Sequence, residues 1–132
     1  MIKWAGWLIV LCGFGHLLGS LVETAPSHAG AWFSGELWGQ GDPLEMSHAT
    51  AAFWYSGYSF GPLLLLVGLI VLWLGRRNIV PPQFIAWTLT AWVMIGFVVG
   101  GPSPLPILLI AAGLLLAAAR RDHPAPHAHA AG

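Results

Sequence analysis

The sequence predicts an all-α fold, an integral membrane bundle of four helices, and three observations predict it. Only 8% of the 132 residues are charged and 57% are hydrophobic, whereas soluble domains carry about a quarter charged residues. Every Lys and Arg sits at one of three places, Lys3, Arg76-Arg77 and Arg120-Arg121. Four of the five acids, Glu23, Glu36, Asp42 and Glu45, fall in the single stretch 23–46. Long apolar runs fill the space between these clusters, and basic residues concentrate on the cytoplasmic side of polytopic membrane proteins. The expected arrangement is a multi-pass protein of the cell membrane with both termini cytoplasmic and an extracytoplasmic loop between helices 1 and 2.

The first span is expected over residues 4–22, an apolar length that matches a hydrocarbon core of about 30 Å at 1.5 Å rise per residue. A signal peptide is the rival reading, because Lys3 precedes the run and Ala29-Gly30-Ala31 resembles a cleavage site. The run is long for a signal segment and that site lies well past its end, so a retained helix is favoured. Residues 23–46 form the expected loop. They are rich in Gly, Ser and Pro yet carry Trp32, Phe33, Leu37 and Trp38, a mixture suited to lying in the interface.

Asp42-Pro43-Leu44-Glu45 matches a helix start, with Asp42 as cap and Pro43 at the first helical position. The second span is expected from Pro43 or Ser47 to Gly75, about 47–75. That is too long for a perpendicular crossing, and Pro62 supplies a kink site. Pro81-Pro82 separates it from a third span at 83–99, and Gly101-Pro102-Ser103-Pro104 makes a tight outer turn. The fourth span, 105–119, is short. Residues 122–132, rich in Pro, Ala and His, are expected to be a disordered cytoplasmic tail. The whole of 1–121 reads as one domain.

Several function classes drop out. Zero formal net charge and isolated basic pairs give no basic patch for nucleic acid. The single cysteine, Cys12, allows no internal disulfide and lies in an apolar run, where an inert thiol is expected. No nucleotide-binding loop, nucleophile elbow or metalloprotease helix is present, and the spans contain no central carboxylate of the kind an ion pump uses.

The chemistry that remains centres on His16, the one histidine well inside an apolar run, and an ionisable residue within a membrane is a functional candidate by default. Tyr55 lies seven residues below His48, as His16 lies seven below Glu23. Seven residues is close to two turns, so each pair shares a face. If Glu23 and His48 share the outer interface, His16 faces Tyr55 or Ser59. The plain reading is a neutral His16 that bonds a neighbouring helix and glues the bundle. The sharper reading is an acid/base pair of His16 and Glu23. A ligand-binding set would comprise His16, Glu23, His48, Tyr55, Tyr58, Ser59, Trp32 and Trp54. Tyr55, Tyr58 and Ser59 are explained as well by interhelical packing. His16, Glu23, His28 and His48 lack diagnostic metal-ligand spacing, and no metal and no resident cofactor is expected. Gly15-x-x-x-Gly19, Gly57-x-x-x-Gly61 and Gly96-x-x-x-Gly100 allow close helix approach, within one chain or between copies.

The opening Ile2-Lys3-Trp4-Ala5-Gly6-Trp7, His16, Leu21-Val22-Glu23-Thr24-Ala25-Pro26 and Ala31-Trp32-Phe33, with Arg76-Arg77, Pro81-Pro82 and Gly101-Pro102-Ser103-Pro104, resemble a family of small bacterial, mostly actinobacterial, four-span membrane proteins of unknown function. The resemblance covers nearly all of residues 1–121 and brings no activity, cofactor or catalytic residue. The four-span plan also resembles DoxX-like proteins, by fold analogy alone. The leading expectation is a non-enzymatic membrane protein, an accessory or lipophilic-ligand-binding unit with a polar pocket in the outer leaflet. The alternative is a membrane-embedded isomerase or cyclase in which His16 or Glu23 moves protons and Trp32, Trp38 and Trp54 line an apolar pocket. A haem or quinone binder is the third. The bilayer, a membrane protein partner or a second copy are the expected partners.

Overall fold

A computed structural model of the protein describes residues 1–38, 46–100 and 105–122. Among the described residues every regular element is helical: α1 (Ile2–Phe33), a 3₁₀ turn at Glu36–Trp38, α2 (His48–Tyr55), α3 (Phe60–Arg76), α4 (Gln83–Gly100) and α5 (Ile107–Asp122). Three stretches, Ile2–Phe33, His48–Arg76 and Gln83–Gly100, are long and apolar enough to cross a membrane. The fourth expected span corresponds to α5, which has 16 residues.

The largest departure from the sequence reading is α1. Its 32 residues extend about 48 Å, far past the expected end at Val22 and through nearly half of the expected loop. Nothing in 23–33 stops a helix except Pro26, which deletes one ladder bond, that to the Val22 carbonyl. The terminator is Gly35, held at φ +86, after the Ser34 amide has closed the last turn on the Gly30 carbonyl (3.0 Å). A left-handed residue just past a helix is a standard stop. The expected helix start at Asp42-Pro43-Leu44-Glu45, the turn at 101–104 and the tail beyond Asp122 lie outside the described residues.

Ser47 caps α2, its hydroxyl oxygen accepting from the Thr50 amide at 3.2 Å. The second apolar stretch is then interrupted at 56–59 rather than bending at Pro62. Proline cannot donate to the carbonyl four residues back and its ring collides with it, so a helix continuing through Tyr58 is blocked. The break is displaced into the preceding turn, and Pro62 takes the third position of α3, where no intrahelical amide bond is due. At the other end of α3 the Ile79 amide reaches the Leu74 carbonyl (3.0 Å) across Asn78 at φ +56, the hydrogen bond of a Schellman stop.

The chain divides into two compact units, Met1–Leu8 with Leu69–Gly132, and Ile9–Gly68. In the first, α4 packs on α5, burying Ala86, Leu89 and Val93 of α4 and Leu108, Ala111, Ala112 and Leu115 of α5. Within the same unit a Cβ on Gly6 would stand 2.7 Å from Leu72, and one on Gly75 2.9 Å from Ile2. In the second unit α1 and α3 meet backbone to backbone, because a Cβ on Gly13 would lie 2.8 Å from the Gly61 carbonyl oxygen. Outward lie Trp4, Trp7, Leu11, Phe14, Leu18 and Val22 of α1 and Phe84, Trp87, Ile95 and Val98 of α4. So much apolar surface is costly in water and suits a lipid surround.

Candidate functional site

The interruption at 56–59 lies in the unit Ile9–Gly68, and serines satisfy its backbone. The fully buried Ser56 hydroxyl donates to the Ala52 carbonyl at 2.6 Å. The Ser59 hydroxyl donates to the Ser56 carbonyl at 2.8 Å and accepts from the Gly61 amide at 3.4 Å, capping α3. The Tyr58 amide bonds the Phe53 carbonyl at 3.1 Å. Broken helices persist in an apolar surround when side chains re-satisfy the freed groups in this way.

His16 meets this break. Its ring stacks on Phe60, the first residue of α3, with centroids 3.9 Å apart and planes at 23°. The Tyr55 ring stands edge-on to it at 6.0 Å and 77°. The His16 carbonyl accepts the Ser20 hydroxyl at 2.7 Å, which anchors the backbone but not the imidazole. His16 Nε2 is buried and has no hydrogen-bond partner among the described residues. An unpaired buried nitrogen costs on the order of 1–3 kcal/mol, so this atom invites a partner that the described residues do not supply.

A run of aromatic contacts continues outward from the break. Trp32 donates its indole N–H to the Ala49 carbonyl at 2.7 Å and stands edge-on to Phe53 at 5.9 Å. Tyr58 stacks on Phe53 at 6.1 Å and receives Trp54 edge-on at 4.7 Å. Beside them Gly57, Tyr58, Ser59, Pro62 and Leu63 line an open recess of about 420 Å³.

The sequence argument has His16 facing Tyr55 or Ser59; the Tyr55 ring stands beside it, whereas Ser59 lies in the break and caps α3. Glu23 and His48 do not join them. Both are exposed, and no hydrogen bond or ion pair joins Glu23 to His16 among the described residues. Ala49 meets Trp32, nine residues beyond Glu23, because α1 and α2 do not keep one antiparallel register. Trp38 is 93% exposed on the 3₁₀ turn. Phe60 and Phe53, which the sequence reading passed over, supply the ring contacts to His16 and Trp32. Among the described residues no three His, Cys, Asp or Glu side chains gather as a metal site would need.

The profile of a Family of unknown function (DUF6463) matches residues 1–122. The chain belongs to this family. The match spans all five helices, so the helix break with His16 against it is part of the family domain. No match was found among curated proteins or solved structures.

Proposed function

We propose that this member of the family is a multi-pass membrane protein that holds a small lipophilic molecule at the break between α2 and α3, with His16 bonding its polar head. The observation that carries this reading is the buried, unpartnered Nε2 of His16 between the Tyr55 and Phe60 rings. Binding sites are mostly apolar walls with few placed polar groups, and broken membrane helices mark such sites. An imidazole with one free ring nitrogen pairs with a carbonyl or a hydroxyl, according to its tautomer. The fitting ligand is an apolar body with one such group. Acid/base turnover is less well supported, because among the described residues no carboxylate bonds His16 to serve as its partner.

Native mass spectrometry of gently extracted protein tests the reading. Wild type carries a small lipophile distinct from phospholipid, and His16→Phe, which preserves stacking on Phe60 while removing both nitrogens, loses it without a change in unfolding temperature. A wild type free of any such adduct, or an adduct retained unchanged in His16→Phe, overturns it.

A further inference from the structure

A second recess, of about 440 Å³, lies within the other unit. Its walls include Lys3 and Trp4 from the first turn of α1, Gly75 and Val80 around the end of α3, and Arg121 and Asp122 from the last turn of α5. Residues remote in sequence thus bring two cations to one hollow. Neither cation is held by a carboxylate within 4.0 Å among the described residues. Arg77, by contrast, is engaged over the Trp73 ring at 4.7 Å. Gly75 matters to the shape, because a Cβ there would press on Ile2 at 2.9 Å, so α1 and α3 touch at this end.

We infer that this recess is a binding site for a phosphodiester, and that its occupant is the headgroup of an anionic phospholipid. Lys3 and Arg121 outweigh Asp122, so the hollow is net positive and suits an anionic headgroup. Arginine supplies the paired donors that phosphate oxygens accept, and lysine a point charge. The first amides of α1 point out of the same helix end with no intrahelical acceptor. Trp4 is 72% exposed and belongs at the headgroup level, where Val80 and Ile2 offer apolar contact to the first acyl carbons. Basic pockets between membrane helices are the known form of headgroup site. Orientation in the membrane alone asks for basic residues near helix ends, not for two of them to share a hollow.

The test is a titration of detergent-solubilised protein with phosphatidylglycerol, read by native mass spectrometry. It compares wild type, the double variant Lys3→Gln/Arg121→Gln, and the control Arg76→Gln/Arg77→Gln, which removes the same charge outside the recess. The recess variant should lose affinity on the order of tenfold, the control should change little, phosphatidylcholine should bind weakly to all three, and millimolar glycerol phosphate should fail to displace the lipid. Equal losses in both double variants would make the effect general surface charge and overturn the site. Full displacement by glycerol phosphate would overturn the lipid as occupant in favour of a free anion. Matching unfolding temperatures establish that the variants are folded.

Discussion

At the scale of single residues, side chains that look alike in the sequence separate by what they touch. Trp32 and Trp38 both belong to the stretch read as an interfacial loop, yet Trp32 donates to the Ala49 carbonyl at 2.7 Å and Trp38 is almost wholly exposed. Trp32→Phe keeps the ring contact to Phe53 and deletes the hydrogen bond, so it should cost about 1 kcal/mol in detergent unfolding, while Trp38→Phe should cost nothing measurable. Equal effects of the two would mean that the Trp32 bond contributes no stability. The pairing of His16 with Tyr55 was only partly legible in the sequence: seven-residue spacing preserves a helix face on both partners, but the level shared by Glu23 and His48 that set the register does not hold, since Ala49 meets Trp32. Phe60 was not legible, because the break at 56–59 resets the helical phase, and a position past a break cannot be projected from positions before it. The partner of Trp32 was hidden for a different reason: α1 was expected to end ten residues before it.

At the scale of helices, the glycines sort into those the chain uses and those it leaves open. The spacing Gly15-x-x-x-Gly19 was the obvious close-approach motif on α1, but nothing lies within 4 Å of a Cβ at either position. The contact is made two residues before Gly15, on the nearly opposite face of the helix, where a Cβ on Gly13 meets the Gly61 carbonyl at 2.8 Å and the Leu65 amide at 2.8 Å. Motif spacing marks which helix can approach closely, and the apolar stripe of the partner decides which glycine does. Two substitutions of the same kind should therefore differ in sign. Gly13→Ala must push backbone apart and should cost about 1–3 kcal/mol. Gly15→Ala replaces a poor helix former by a good one in open space and should be neutral or stabilising by up to about 1 kcal/mol. Chemical unfolding of both in the same detergent decides this, and destabilisation by Gly15→Ala comparable to that by Gly13→Ala would rule the α1–α3 contact out as described.

At the scale of the whole molecule, charge and length give competing counts of the helices fit to cross a bilayer. Three stretches meet the length of a spanning helix. At 16 residues, α5 reaches about 24 Å, short of a hydrocarbon core of about 30 Å. Three crossings would put the two chain ends on opposite sides. The basic residues argue otherwise, because Lys3, Arg76-Arg77 and Arg120-Arg121 can share the cytoplasmic side only if α5 also crosses. A short helix is accommodated by local thinning and by long side chains reaching back to the interface, and Arg120 and Arg121 at the end of α5 are such side chains. The mismatch costs fractions of a kcal/mol per Å, whereas carrying two arginines to the wrong face opposes the dominant orienting signal, so four crossings should win. Single cysteines at Ser34, Asn78 and Asp122 in a Cys12→Ala background make this measurable with a membrane-impermeant maleimide. Ser34→Cys should react in intact cells, and Asn78→Cys and Asp122→Cys only after permeabilisation. Reaction of Asp122→Cys in intact cells, with Asn78→Cys still protected, would show that α5 does not cross and that its length outweighs its charge.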